Sequence, residues 1–321
     1  MNKAGKKRFF ATALALVFLA VFFCSEAFPW GFGTHTYIDD HLGKTKRNRN
    51  MNEIYGGVAP DTFNYLFTVP QYQQYLAYQT HAGSFSDVWD VPKAGLGKAL
   101  AFGFVSHNEV WGADSTAHQH GLTYGQDEGY VIAKAAELAA ILEVFPPYAG
   151  LGLPHEVTLA VSHELVEDGI DLLVKGLDPS IGQKLRSAAF FRTSNFPVYL
   201  VKAYAEDFSD TFDISRHEAA KFIIDAERQF RKRMMKYGDA LMQDDLVAIH
   251  LIAEMTADVA VSFLAANGLS LPDGVEVEDV VPLIEFAIGQ SMALCAGDFA
   301  GEIVATIDFV NQNLEDNGIS Y

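Results

Sequence analysis

Residues 103–120 constrain this chain more than any other stretch, because they hold His107, Asp114 and His118 at offsets of 0, 7 and 11. In a helix each residue turns the chain by about 100°. Offset 7 then falls about 20° to one side of His107, and offset 11 about 20° to the other. One stripe would carry two imidazoles and a carboxylate, stacked a turn or two apart, a donor set suited to a metal ion. Burying these groups without partners would be costly, so a shared metal ligand stands as one reading beside that of hydrogen-bonded core or surface residues. His120, at offset 13, points almost to the opposite side. Gly112 weakens the helix, and a break there would reopen the choice between His118 and His120; helical direction favours His118.

A second constellation lies in the segment Ser162-His163-Glu164-Leu165-Val166-Glu167. His163 and Glu167 stand at i and i+4, about 40° apart on a helix, so both can reach one cation. His155 lies about 80° from the His163 direction and reads as a surface or capping residue. The protease pattern His-Glu-x-x-His is absent here, since Glu167 occupies the position of the second histidine.

In chain order, the series Trp30, His35, Asp61, His81, His107, Asp114, His118, His163, Glu167 resembles the zinc-dependent phospholipase C and S1/P1 nuclease superfamily. The match is closest to the branch that includes the N-terminal domain of glycosylphosphatidylinositol-specific phospholipase D, and it covers roughly residues 30–170. The resemblance implies a cluster of two or three Zn2+ ions held mostly by helices. By that resemblance, Asp61, His81, His107 and Asp114 would hold one zinc, and His118, His163 and Glu167 a second. His35 would help hold a third, with Asp114 bridging. The amino group and carbonyl of Trp30, as an N-terminal residue, would complete that third site. Two departures from the family pattern stand out. Cleavage after Ala27 would leave Phe28-Pro29 ahead of Trp30, and six residues separate His107 from Asp114 where many members have three.

The N-terminus carries Lys3, Lys6, Lys7 and Arg8, then an apolar run over 9–23, then small residues at Ser25 and Ala27. This reads as a secretory signal peptide over 1–27, so export to the periplasm or beyond is expected. The apolar run is short for a membrane span, and no transmembrane helix is expected in the mature chain. Phe23 stands where a lipoprotein signal needs a small residue, which argues against a lipid anchor at Cys24. Only Cys295 would remain after cleavage, so no intrachain disulfide is expected. Of 23 basic and 41 acidic residues, removal takes four and one, turning a formal −18 into −21. A field of that sign repels phosphate backbones, so no long nucleic acid is expected as a partner.

From about residue 94 the pattern is helical, with expected helices over 96–118, 130–144, 155–175, 181–190, 197–208, 215–237, 245–267 and 279–313. Pro and Gly break the pattern at 145–147, 176–179 and 268–274, and Asp178 before Pro179 reads as a helix start. Residues 28–92 read as mostly irregular, with a short helix beginning near Thr34. No β-alternation of useful length is present. The expected fold is all-α, a multi-helix phospholipase C/P1 nuclease-like bundle over 28–195. Additional C-terminal helices over 196–321 are expected to pack on the same domain, with no role assigned. Arg228, Arg231, Lys232, Arg233 and Lys236 read as a solvated, charged helix face.

The expected function is zinc-dependent phosphodiester hydrolysis, phospholipase C-like, on phospholipid or another phosphodiester. Asp61 would both ligate zinc and act as general base, a role the resemblance implies. Aromatics near these residues in sequence, among them Trp30, Phe32, Phe63, Tyr65, Phe67, Tyr72, Tyr75, Phe85 and Trp89, could line an acyl pocket, stack on nucleobases, or simply fill the core. The alternatives are an S1/P1-type nuclease and a non-catalytic zinc- or lipid-binding envelope protein. The oligomeric state is not legible in the sequence.

Overall fold

Helix ends and a few close backbone approaches set the shape of this chain. The computed structural model describes residues 30–42, 50–149, 154–266 and 276–321. The expected signal segment, its cleavage point and the dipeptide Phe28-Pro29 lie outside the described residues. So do the glycines of the 268–274 break.

The described residues form fifteen α-helices and two 3-10 turns, with no strand among them. The first part runs α1 (Phe32–His41), α2 (Asn50–Val58), a 3-10 turn (Ala59–Phe63), α3 (Pro70–His81) and α4 (Asp87–Asp90). Next come α5 (Gly95–His107), α6 (Ala113–His118), α7 (Tyr130–Val144), α8 (Pro146–Ala149) and α9 (His155–Leu177). The remainder is α10 (Ile181–Phe191), α11 (Phe196–Phe212), α12 (Arg216–Leu241) and α13 (Asp245–Ala266). A 3-10 turn (Val277–Asp279) then leads into α14 (Val281–Cys295) and α15 (Phe299–Asp316). No single helix among the described residues is long and apolar enough to cross a membrane.

Three expectations are corrected. Residues 28–92 are mostly helical where described, not irregular. Their helices bury polar and apolar residues on several faces at once, as α1 does with Thr34, His35, Thr36, Ile38 and Asp39. That removes the amphipathic period from which a helix is read. The helix expected over 96–118 is two helices, because the Asn108 carboxamide oxygen accepts the amides of Val110 and Trp111 at 2.8 Å each. Such a side-chain turn competes with the helical ladder. The helix expected over 279–313 is likewise broken, between Cys295 and Phe299. Asp178 accepts the Ser180 amide at 2.9 Å in the turn that leads into α10, which begins at Ile181 as expected.

At the centre α2 crosses α5 with backbones in contact. A Cβ at Gly56 would stand 2.1 Å from the Leu100 carbonyl, and one at Gly103 would stand 2.0 Å from that of Glu53. Only glycine permits this approach. Tyr55, Phe104 and Phe196 are fully buried around the crossing, with Tyr55 edge-on to Phe196 at 5.6 Å. Burying each such ring contributes about 1.5–3 kcal/mol.

The helices after residue 195 pack against the earlier ones. α12 lies on α10, α11 and the Ala59–Phe63 turn, α14 on α9 and α7, and α15 on α1 and α6.

Candidate metal centre

The site begins with the way α1 is fastened. Gly31, its N-cap, has no side chain to satisfy the first amides of the helix. A carboxylate from α9 does so instead: Asp171 accepts from the Gly33 amide (2.8 Å), the Thr34 amide (2.7 Å) and the Thr34 hydroxyl (2.8 Å). The helix dipole favours a negative group at this end. A Cβ at Gly31 would come within 2.6 Å of that carboxylate. Tyr237 of α12 donates to the same Asp171 at 2.9 Å. His35 is thereby held one residue past a clamp that links α1, α9 and α12.

Two groups of three donors adjoin here. His35, His107 and Asp114 form one, Asp61, His81 and His107 the other, and within each group the donor atoms lie within 4.8 Å of one another. All five residues are buried. His107 ends α5, and its Nδ1 donates to the Gly57 carbonyl at 2.7 Å, which leaves the Nε2 lone pair facing the cluster. His81 ends α3, and its Nδ1 donates to Ala77 O at 2.8 Å in the same fashion. Thr80 ties that helix end to the 3-10 turn through Pro60 O at 3.0 Å, which sets His81 Nε2 3.2 Å from Asp61 Oδ1. Asn64 donates to the same Asp61 oxygen at 2.8 Å.

Asp114 presents one oxygen to each side. Its Oδ1 is 3.1 Å from His35 Nε2, and its Oδ2 is 2.8 Å from His107 Nε2 and 3.9 Å from His81 Nε2. The approaches to His35 and His107 lack the alignment of a hydrogen bond. Both Asp114 oxygens, both His35 ring nitrogens, His107 Nε2, Asp61 Oδ2 and, in the neighbouring group, Glu167 Oε1 are buried with no hydrogen-bond partner.

The third group is His118, His163 and Glu167. His163 and Glu167 sit one turn apart on α9, with Nε2 and Oε1 2.8 Å apart. His118 ends α6 and places its Nε2 3.0 Å from His163 Nε2. Its Nδ1 faces Glu109 at 3.6 Å.

The electrostatics point the same way. Burial, reinforced by the neighbouring His107 and His81, pushes His35 well below the usual imidazole value. Burial also drives His107 down to about 3, outweighing the pull of Asp61. Burial raises Asp114 and Glu167 well above the usual carboxylate value, and for Glu167 the charge of Glu164 adds to this. His81 is the exception: burial opposes its charge, but the hydrogen bond and charge of Asp61 win and raise it to about 9. His35 and His107, kept neutral by burial, therefore face the two Asp114 oxygens at 3.1 and 2.8 Å, an arrangement that a cation between them would relieve. Nitrogen and oxygen donors, buried, converging and several of them without a hydrogen-bond partner, fit a metal ion.

All eight His, Asp and Glu residues singled out in the sequence are brought together, but not in the way the helical stripe implies. His107 and Asp114 converge across the Asn108 turn from two helices. That break reopens the choice at the third position. His118 faces His163, whereas His120 packs its ring against Phe309 at 5.5 Å. His155 is a surface residue paired with Glu143 at 2.6 Å. The Trp30 indole is buried and donates to Ala113 O at 3.0 Å and Thr116 Oγ1 at 3.1 Å, so its side chain braces α6.

Sequence reasoning missed Asp171, Glu109, Asn64 and Tyr237. Asp171 continues the α9 stripe of His163 and Glu167 by one more turn, a signal that was readable. The others are positioned by contacts distant in sequence or by a turn. No protein-family model, curated protein or solved structure matches the chain.

Proposed function

We propose that this chain is an exported zinc-dependent phosphodiester hydrolase, phospholipase C-like, that releases the head group of a phospholipid. The observation that carries the reading is the convergence of seven buried donors and the half-buried His118 into three adjoining groups, with Asp114 offering one oxygen each to His35 and His107. The ordered resemblance of the same residues to the phospholipase C and S1/P1 nuclease superfamily supports zinc as the metal.

Bound zinc supplies Lewis-acid polarisation of the phosphoryl oxygens and a water whose pKa falls to about 7. The protein's own contribution is positional. His81 and His107 each donate from Nδ1 to a backbone carbonyl, so their Nε2 atoms stay directed inward. Asp61 has one oxygen held by Asn64 and His81, while its buried Oδ2 is unpartnered. That oxygen is the one positioned to take the proton of an attacking water. The surrounding apolar burial keeps bulk water out, which strengthens each of these interactions.

The test is zinc content per purified chain, before and after chelation, together with hydrolysis of short-chain phosphatidylcholine. Two or three zincs are expected, with activity lost on chelation and restored by zinc. His107→Ala and Asp114→Asn are each expected to lower activity more than about 100-fold. A folded chain that takes up no zinc, or variants that keep full activity, would overturn the proposal. Zinc without turnover of any phosphodiester would point instead to a zinc- or lipid-binding envelope protein, and preferred cleavage of a dinucleotide to a nuclease.

A further inference from the structure

Beside the metal centre lies a cleft of about 380 Å³ between the segment after the Asp61 turn and the faces of α12 and α13. Leu66, Phe67, Phe222 and Val259 form its apolar walls, and Tyr65 and Arg233 also line it. α12 packs directly on the turn that carries Asp61, and the charges of Glu164, Asp61 and Glu167 all act on the Tyr65 hydroxyl. The cleft therefore opens next to the proposed reaction centre.

Three charged residues line it, and two are committed elsewhere. Asp225 accepts from Lys221 at 2.7 Å and Arg228 at 2.8 Å. Asp258 faces Lys236 at 3.8 Å. Arg233 differs: its guanidinium lies over the Tyr65 ring, 4.1 Å from the centroid. Its Nε is buried with no hydrogen-bond partner, and its charge partly offsets the rise that burial gives the Glu164 and Asp168 carboxyls. The charged face expected on this helix is thus not uniformly solvated. Arg228 and Lys236 are surface ion-pair residues, Arg231 binds the carbonyl of Ala189 at 2.7 Å, and Arg233 turns inward.

A planar, always-charged fork held flat on an aromatic ring, with a buried N–H to spare, is suited to a phosphate oxygen. We propose that Arg233 binds the substrate phosphate beside the metal centre, and that Leu66, Phe67, Phe222 and Val259 hold an acyl chain of the same phospholipid. This rests on the proposed function, and it makes Arg233 a substrate-binding residue supplied by the C-terminal helices.

Dihexanoylphosphatidylcholine serves as a monomeric probe, and dihexanoylglycerol as its phosphate-free counterpart. Arg233→Gln is expected to raise KM for the first about 10- to 100-fold, the effect of one charge-assisted hydrogen bond, with kcat and zinc content little changed. Arg233→Lys should recover part of that loss, which a purely structural role would not show. Phe222→Ala should raise KM more for dioctanoyl than for dihexanoyl substrate. Binding by calorimetry separates this proposal from the one it rests on. If the chain hydrolyses no phosphodiester, native protein should still prefer the phosphate-bearing probe, and Arg233→Gln should lose that preference. An Arg233→Gln protein with native KM or native preference overturns the proposal. Should that variant not fold, an Arg233→Lys protein with native KM together with a Phe222→Ala protein blind to chain length does the same.

Discussion

At the scale of single residues, the centre depends on groups that hold its donors as much as on the donors. Asp171 is the plainest case, since one buried carboxylate satisfies three donors at the start of α1. Asp171→Ala would leave two amides and a hydroxyl buried without partners, at a cost of about 1–3 kcal/mol. It is also expected to weaken metal retention, because His35 is the next residue on the helix. Urea unfolding and zinc competition with a chelator check both, and Asp171→Asn, which keeps one acceptor, should lose less. If zinc affinity is untouched, the clamp does not position His35. Cys295 gives a second prediction. It is fully buried, and burial, partly offset by Lys134, pushes its thiol from the usual 9 up to about 12. A raised native value stabilises the fold below pH 9 and loses that contribution as pH rises from about 9 through 12. The native thiol is therefore expected not to react with a disulfide reagent at pH 8, and to react fully in urea. Rapid labelling of the native chain would contradict this.

At the scale of elements, the crossing of α2 and α5 and the capping of α12 make opposite tests. Gly103→Ala forces a methyl group into the Glu53 carbonyl, so α2 and α5 must separate, with an expected loss of about 1–3 kcal/mol or more. Because α5 ends in His107 and α2 leads into the Asp61 turn, metal affinity should fall with stability. Ser215 and Glu218 form a capping box at the exposed start of α12. Ser215→Ala should cost about 0.5–2 kcal/mol and leave metal affinity unchanged. Parallel titrations of the two variants decide whether stability and metal binding are coupled only through the crossing. The element boundaries read from sequence follow the same division. The expected limits of 130–144 match α7 and those of 155–175 fall two residues short of α9, because capping and Pro/Gly punctuation are local. The 96–118 expectation missed the Asn108 turn, since one asparagine carboxamide redirected a helix that composition would continue.

At the scale of the whole molecule, the C-terminal helices brace the elements that carry the candidate centre. Glu302 of α15 accepts the amides of Leu122 and Thr123 at 2.6 Å each, which fixes the loop after His118. Thr306 meets Thr116 at 2.9 Å. Arg192 pairs with Glu227 at 2.6 Å, and Tyr55 donates to the same carboxylate at 2.8 Å. Metal removal should therefore be felt globally. Saturating zinc is expected to raise Tm through mass action, by about 2.7 kcal/mol of added stability at 100 times Kd. Chelation should lower Tm in a single transition. Two transitions, with only one responding to zinc, would show that the helices after residue 195 do not share the centre's stability.

The sequence alone determined the all-helical class, because helical periodicity and its punctuation are written within a few residues. It also singled out the eight His, Asp and Glu side chains that the fold groups together, since donors of that type stand out in a chain with ten histidines. The pairing of His163 with Glu167 was legible for the same reason: a separation of four is one turn. What only the tertiary structure decided is how α1, the Asp61 turn, α3, α5, α6 and α9 converge, and which groups hold them there. Asp171 and Thr34 are 137 residues apart, Thr116 and Thr306 190 apart. Contacts at that range are set by how packed helices exclude water and close on one another, and they leave no period in the sequence to read.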